Sequence, residues 1–288
     1  MKIVITGVNG YVSNSLRKWL IDNGYNNSGI KLLSLKDDNW KRSLLSGVDV
    51  IIHCAALVHQ LKKDLPLEEY ERVNTKLTID LASKAKEDGV KQFIFMSTKG
   101  VYGLKKNCFH EVVIDENTPV KPFKKYGFSK YKAEQVLREL QNDSFKVAII
   151  RAPFIYGKGC PGNYQSLRKV VLRYRIVPKI SSRISFLYID NLCELIRQII
   201  EQKREGLYMP QNLPVHSSSE MALLIAHYNH KRVVYTSLMN PLVRVASLFV
   251  GRINSAFGSS HYAEQMSVID GIDYQIVGFE ESIRLTES

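Results

Sequence analysis

The sequence predicts an α/β fold, a doubly wound parallel sheet followed by a smaller carboxy-terminal lobe. Three observations carry that expectation. Short β-branched apolar runs alternate with segments of helical period as far as residue 151. A glycine turn follows the first run directly, so a strand, a tight turn and a helix start all fall within residues 2–20. From about Ala152 the rhythm changes to loops and shorter elements, with no repeat, low-complexity tract or Gly/Ser linker. The expected division is a first body over 1–151 and a lobe mainly over 152–288, from which the chain returns to the first body.

Lys2-Ile-Val-Ile-Thr6 reads as the first strand, and Gly7-Val8-Asn9-Gly10-Tyr11-Val12-Ser13 turns into a helix continuing through Leu16, Trp19 and Leu20. Gly7 permits the turn, Gly10 lets backbone approach a pyrophosphate, and the helix amino terminus offers free N–H groups to its charge. This is the Rossmann-like arrangement for a dinucleotide. Its third glycine position holds Ser13, which loosens the expected packing of helix on strand. The second strand, Ile30–Leu35, ends in Ser34, Lys36, Asp37 and Asp38. A basic side chain there accommodates the extra phosphate of NADP, and an acidic one holds the ribose of NAD. Lys36 and Ser34 favour NADP; Asp37 keeps NAD open.

Val48–Ala56 reads as a buried parallel strand whose Ala55 and Ala56 leave room for a cofactor, with His53 as a core residue. A helix follows from Leu67 to Lys86, carries Asn74 and is closed by Gly89. The apolar run from Phe93 delivers Ser97 and Thr98 to the sheet edge where such folds place ligands. A loop with Pro119 and Pro122 leads to a helix from Tyr126 through Leu140, and Lys146–Arg151 is one more buried strand. Beyond it lie a loop over 153–163 and a basic helix through Arg173 and Arg175. A strand from Arg183 then runs into a helix capped near Asp190, short elements fill 206–277, and a surface helix closes the chain at 279–286.

Tyr126 and Lys130 stand one helical turn apart, so one face carries both. A phenol titrates near pH 10 and carries protons poorly at neutrality unless a neighbouring cation favours the phenolate. Lys130 is the expected cation, and a hydroxyl from Thr98 is placed to hold the reacting oxygen beside the phenol. Tyr102 and Lys106 repeat the spacing in a Gly/Asn/Lys-rich loop without helical pattern, and are read as coincidence.

The formal net charge of +12 attracts anions without choosing among them. Basic pairs such as Lys62-Lys63, Lys105-Lys106 and Lys124-Lys125 are scattered, which suits solvated faces better than a nucleic-acid stripe. Cys54, Cys108, Cys160 and Cys193 have neither metal-ligand nor disulfide-like spacing, so no metal is expected and a reducing cytoplasm fits. No signal peptide or membrane span is read. Pro241–Ile253, apolar with two arginines, is taken as a packed helix in preference to a segment lying on a membrane surface.

With these residues assembled, the chain resembles the extended short-chain dehydrogenases/reductases, specifically the nucleotide-sugar epimerase/dehydratase/reductase group. The matching motifs are Thr6-Gly7-x-x-Gly10, Asp49-Val-Ile-Ile-His-x-Ala-Ala56, Val73-Asn74, Ser97-Thr98-x-x-Val101-Tyr102-Gly103, Tyr126-x-x-x-Lys130, Arg151-x-Pro-x-x-Tyr-Gly157, Gly162-Asn163, Arg183 and Tyr188-Ile-Asp190. The resemblance implies that Tyr126 is the catalytic acid/base, that Lys130 binds the nicotinamide ribose and lowers the tyrosine pKa, and that Thr98 positions the sugar oxygen. It implies a cofactor site from Gly7, Asn9, Gly10, Tyr11, Val12, Lys36, Ala55, Ala56, Asn74, Ser97 and Pro153, together with Tyr126 and Lys130. Thr98, Lys99, Asn163 and Arg183 are implied to bind a UDP-sugar.

Lys99-Gly100 stand where sugar 4,6-dehydratases carry an Asp-Glu pair, and Phe154 where many 4-epimerases carry asparagine. The wording Arg-Ala-Pro-Phe-Ile-Tyr-Gly looks more like bacterial capsule and O-antigen enzymes that reduce a UDP-4-keto-6-deoxy-HexNAc. The resemblance therefore implies 4-keto reduction first, 4-epimerisation as the alternative, and a non-catalytic dinucleotide-sensing protein as a further one. A cytoplasmic homodimer, paired through the Asn74 and Tyr126 helices, is implied in the same way.

Overall fold

A computed structural model describes residues 1–42, 45–58 and 65–288, the side chain of Arg252 excepted. The Lys62-Lys63 pair lies outside the described residues. The chain divides into two compact units. The first comprises Met1–Gly103, Pro119–Ala152 and Leu192–Met209; the second comprises Leu104–Thr118, Pro153–Asn191 and Pro210–Ser288.

The first unit is built on six parallel strands: β1 (Ile3–Thr6), β2 (Ile30–Leu33), β3 (Val50–His53), β4 (Gln92–Thr98), β5 (Lys146–Ala152) and β6 (Gly206–Tyr208). Their order is β6-β5-β4-β3-β1-β2. Parallel strands covered on both faces must be apolar throughout, and β1, β3 and most of β4 and β5 are buried at every position. The order turns back at β1 and β3, so Thr6 and His53, paired in register, stand at the switch point where α/β sheets bind ligands. β2 is shorter than expected and stops at Leu33, because the Ser34 hydroxyl accepts the Lys36 N–H at 3.4 Å and bends the chain away.

Three helical segments pack on this sheet. Helix α1 (Tyr11–Asp22) buries Ser13, Leu16 and Leu20 along one stripe. Helix α2, residues 67–87, is one run whose middle turn, Glu71–Lys76, widens to π-helical spacing around the buried Asn74. Gly89 at φ +83° ends it, with the Val90 N–H reaching back to the Ala85 carbonyl at 2.9 Å. Helix α3 (Lys125–Leu140) lays Ala133 and Leu137 into a core shared with Leu81, Ala85, Phe93, Phe95 and Val147.

In the second unit, three two-stranded parallel ladders pair Phe154–Tyr156 with Phe186–Tyr188, Ile176–Pro178 with Val234–Thr236, and Val113–Ile114 with His261–Tyr262. Its interior is aromatic: Tyr156 stacks on Tyr164 at 5.9 Å and Phe186 on Phe279 at 6.2 Å. Helices α4 (Asn163–Tyr174), α5 (Ile189–Glu201, whose later residues belong to the first unit), α6 (Ser218–Tyr228), α7 (Asn240–Phe249), α8 (Gly251–Phe257) and α9 (Phe279–Glu287) complete the chain.

Two expectations need correction here. Arg175 is not in a helix: at φ +55° it takes the left-handed conformation that ends α4. Helix α7 is also not packed all round, because only Val243 and Ser247 are buried, whereas Leu242, Val245, Leu248 and Phe249 are 56–83% exposed. Among the described residues no helix is long and apolar enough to cross a membrane, and the four cysteines are free thiols.

Candidate active site

The glycine turn between β1 and α1 is held open by geometry that other residues cannot adopt. Gly7 sits at φ +92°, and a Cβ placed on it would stand 3.3 Å from both the amide nitrogen and Cα of Ala55. A Cβ on Gly10 would meet the Ser13 hydroxyl at 2.8 Å. Ser13 does not loosen the motif, contrary to the sequence expectation: it is buried and bonds to the Gly7 carbonyl and, at 3.0 Å, to the Gly10 carbonyl. Asn14, which sequence reasoning missed, donates to the Val8 and Gly10 carbonyls at 2.9 and 2.8 Å. Four turn carbonyl contacts are thus occupied from within. The first N–H groups of α1 carry no side-chain cap, which suits a helix start that receives an anion. Asn9 is exposed, and Tyr11 and Val12 are half-buried on the first helical turn.

Opposite Gly7, Thr6 accepts the Ala55 N–H at 3.1 Å and meets His53 Nδ1 at 2.8 Å, while His53 Nε2 meets Thr78 at 2.9 Å. Both ring nitrogens are engaged and burial drives the His53 pKa well below its usual value, so it is a neutral core residue, as its place in the strand suggests. Asn74 spends its amide internally. Its oxygen accepts the Leu57 N–H at 2.7 Å, and its nitrogen donates to the Leu57 carbonyl and to Ser129 on α3 at 3.0 and 3.1 Å. The residue ties the segment after β3 to the helix of Tyr126.

Tyr126 is half-buried at the first turn of α3, and Lys130 follows one turn later with no exposure at all. The Lys130 ammonium lies 3.8 Å from the centre of the Phe95 ring, and among the described residues its Nζ has no hydrogen-bond partner. Burial lowers its pKa to about 7, with partial compensation from Cys54 and Glu134. Burial also pushes the Tyr126 phenol up to about 12. The lowered tyrosine pKa expected from the sequence is therefore absent in the chain by itself. A lysine half-neutralised by burial and seated on an aromatic ring exerts little pull on a phenol that is losing its own solvation.

Thr98 ends β4 and caps the short helical turn Lys99–Tyr102, its hydroxyl accepting the Gly100 N–H at 3.1 Å. That turn touches α3 through backbone: a Cβ on Gly127 would stand 2.5 Å from the Gly100 carbonyl oxygen. The Tyr126-Gly127 pair thus seats the threonine turn against the helix that carries the phenol. Gly127→Ala should cost about 1–3 kcal/mol of stability through overpacking. A urea midpoint unchanged from that of the natural chain would show that this contact does not constrain the helix.

Ser97 is buried and donates to Glu134, which also holds Arg151 through Nη2 at 2.7 Å; Arg151 Nη1 in turn donates to the Tyr102 hydroxyl at 2.9 Å. This network, which joins α3 to β4 and β5, is a feature that sequence reasoning missed. Its signal was Glu134 one turn beyond Lys130 on the buried face, opposite an arginine inside an otherwise apolar strand.

A cavity of about 310 Å³ lies at the end of β2, lined by Lys36, Asp37, Asp38, Lys41, Arg72 and Lys76 among others. Lys41 pairs with Asp38, Arg72 with Glu69 and Lys76 with Asp80 at 2.8–3.0 Å. Lys36 is exposed and has no ion pair among the described residues. In the second unit, Pro153 is half-buried before the strand Phe154–Tyr156 and Asn163 is exposed at the start of α4. The Arg183 guanidinium is held by Glu264 at 2.5 Å and Glu111 at 3.6 Å, and Glu111 is shared with His261 at 2.6 Å. Lys99 is half-buried on the turn that follows Thr98. An anion at Arg183 must compete with these carboxylates.

A sequence profile of the NAD dependent epimerase/dehydratase family matches residues 3–209. The chain is 32% identical over 222 residues to a UDP-glucose 4-epimerase of Vibrio cholerae, an alignment spanning 70% of this chain and 67% of that protein. It is 23% identical over 293 residues to a UDP-2-acetamido-2,6-beta-L-arabino-hexul-4-ose reductase of Pseudomonas aeruginosa, spanning 96% and 68%. The chain therefore spans about two thirds of the length of these relatives. In fold it is similar to MoeE5 in complex with UDP-glucose and NAD, with a TM-score of 0.73 at 19% identity covering 100% of this chain and 97% of that one. It is likewise similar to the human epimerase family protein SDR39U1 with NADPH, with a TM-score of 0.77 at 15% identity covering 100% and 99%.

Proposed function

As the chain belongs to the NAD dependent epimerase/dehydratase family, we propose that it is a nucleotide-sugar oxidoreductase acting at C4 of a UDP-hexose or UDP-HexNAc, most directly by reducing a 4-keto sugar. One observation supports the nicotinamide site above the others: a wholly buried lysine, one turn after Tyr126, whose Nζ finds no hydrogen-bond acceptor among the described residues. Ribose hydroxyls would satisfy it. The uncapped start of α1 and the close approach of Gly7 to Ala55 fit the rest of a dinucleotide. When bound, the nicotinamide exchanges a hydride with the sugar carbon.

In this reading the chain's own groups manage the oxygen and the proton. Thr98 holds the C4 oxygen, and Tyr126 gives its phenolic proton to that oxygen as it becomes a hydroxyl. A phenol raised to about 12 is protonated throughout the neutral range, the form a proton donor needs. Oxidation of a C4 hydroxyl, with which epimerisation begins, has to start from the phenolate. Phe154, where many 4-epimerases carry asparagine, favours reduction, and the similarity to the Vibrio cholerae epimerase keeps 4-epimerisation as the second reading. Asn163 and Arg183 are assigned to the nucleotide diphosphate, and a surface-polysaccharide role and a homodimer belong to the same proposal. Purified protein given NADPH and a UDP-4-keto-6-deoxy-HexNAc should release one NADP per sugar reduced. Interconversion of C4 epimers without net cofactor turnover would replace the reductase reading with the epimerase one.

The β2 cavity supports NADP as the cofactor, since Lys36 there is not committed to a carboxylate. Removing a charge-assisted phosphate contact costs about 1.5–3 kcal/mol. Lys36→Ala should therefore weaken NADP binding by at least tenfold and leave NAD binding nearly unchanged, as read by fluorescence titration. Equal losses for both would remove the phosphate role of Lys36.

A further inference from the structure

We propose that the second unit docks on an anionic membrane surface through helix α7 and the ladder formed by Ile176–Pro178 and Val234–Thr236. The first support is an apolar face without cover. At 100° per residue, Leu242, Val245, Leu248 and Phe249 project from one side of α7 and are 65, 56, 66 and 83% exposed. Val243 and Ser247 anchor the opposite side. Leu238, in the turn before the helix, is 88% exposed. The Asn240 side chain donates to the Lys179 carbonyl at 2.7 Å, which joins the helix to the ladder, and there Ile176, Val234 and Tyr235 are 42–60% exposed. Isolated exposed leucines need no explanation, but four exposed apolar residues on one face of a helix mark an interaction surface.

The second support is charge. Residues 221–263 contain no aspartate or glutamate, and neither do residues 153–189. Within the second unit, the ladder pairs these two acid-free runs in register, Ile176 with Val234 and Val177 with Tyr235. Around the apolar face stand the exposed cations Arg173, Arg175, Lys179, Lys231, Arg232 and Arg244. Carboxylates from outside the two runs do reach some of their other arginines: Glu287 pairs with Arg168 and Glu264 with Arg183. Among the described residues no ion pair engages the six cations named. An apolar stripe flanked by arginine and lysine that no carboxylate pairs among the described residues suits the boundary between acyl chains and anionic headgroups. A second copy of the chain would bring the same positive charge to the interface, which argues against self-association. The bilayer is thus the occupant that the charge selects.

The test is co-sedimentation of the purified full chain with vesicles of phosphatidylcholine alone and of phosphatidylcholine with 30% phosphatidylglycerol. Binding is expected on the anionic vesicles and should decline as salt rises. The pair of substitutions Leu242→Asp and Phe249→Asp, at solvent-facing positions, should lower binding at least tenfold while the thermal transition stays in place. Arg173→Glu with Arg175→Glu should lower it roughly tenfold or more, each cation near the surface being worth about 1 kcal/mol. Equal recovery with and without anionic lipid, or unchanged binding of the aspartate variant, overturns the proposal. So does a dimer in solution that the aspartate pair dissociates, which would assign the face to a second copy. None of these outcomes bears on catalysis at Tyr126, so failure here leaves the proposed reaction intact.

Discussion

Tyr126→Phe should lower turnover by about 10²–10⁴-fold, the range attributed to a positioned acid/base, with cofactor affinity retained. The phenylalanine ring occupies nearly the same volume, and the Ser129 hydroxyl bond to the backbone carbonyl of residue 126, at 2.9 Å, does not involve the phenol. The seating of α3 through Gly127 is likewise untouched. Only the proton is removed. Because the loss falls on the chemical step, kcat and kcat/KM should fall together. A variant that keeps its activity and its fluorescence change on titration with NADPH would return Tyr126 to a packing role, whereas a natural chain that binds NADPH and turns over no sugar would favour the dinucleotide-sensing reading.

The second large effect is expected in stability. Glu134 is wholly buried and accepts from Ser97 and Arg151, and Arg151 is itself only 3% exposed. Burial works against the charge on Arg151, and the Glu134 contact more than offsets it, holding the guanidinium above its ordinary range. Removing one member of such a pair strands the other, at about 3–5 kcal/mol. Glu134→Ala should therefore lower the urea midpoint sharply, and because α3 carries Tyr126 and Lys130, activity should fall with it. The double change Glu134→Met with Arg151→Met, which strands no charge, should recover much of that loss. If the single and double variants unfold at the same midpoint, the network does not hold the helix in place.

Much of the first unit was legible because its physics is local. Apolar runs rich in β-branched and aromatic residues predict buried parallel strands, and β1, β3, β4 and β5 appear where those runs lie. The start of α1 followed from two glycines, and the end of α2 from Gly89. What escaped the sequence is what depends on two segments meeting. Ser13 reads as a missing glycine until its hydroxyl is seen closing on the turn carbonyls. Asn74 reads as part of a cofactor site, and the bonds of its amide to Leu57 and Ser129 could not be read from its spacing. The pKa values of Tyr126 and Lys130 depend on burial that spacing alone cannot convey. Helix α7 shows the converse: its period was visible, but whether the apolar face would be covered depended on what the fold brought to it.

Hydride should pass from NADPH to sugar C4 beside the Tyr126 phenol. The direct test is reduction of a UDP-4-keto-6-deoxy-HexNAc with NADPH fully deuterated at the nicotinamide C4. The product should carry one deuterium, located at C4 by NMR, and be made by the natural chain and scarcely at all by Tyr126→Phe. Deuterium at another carbon, or a product free of it, would rule this chemistry out.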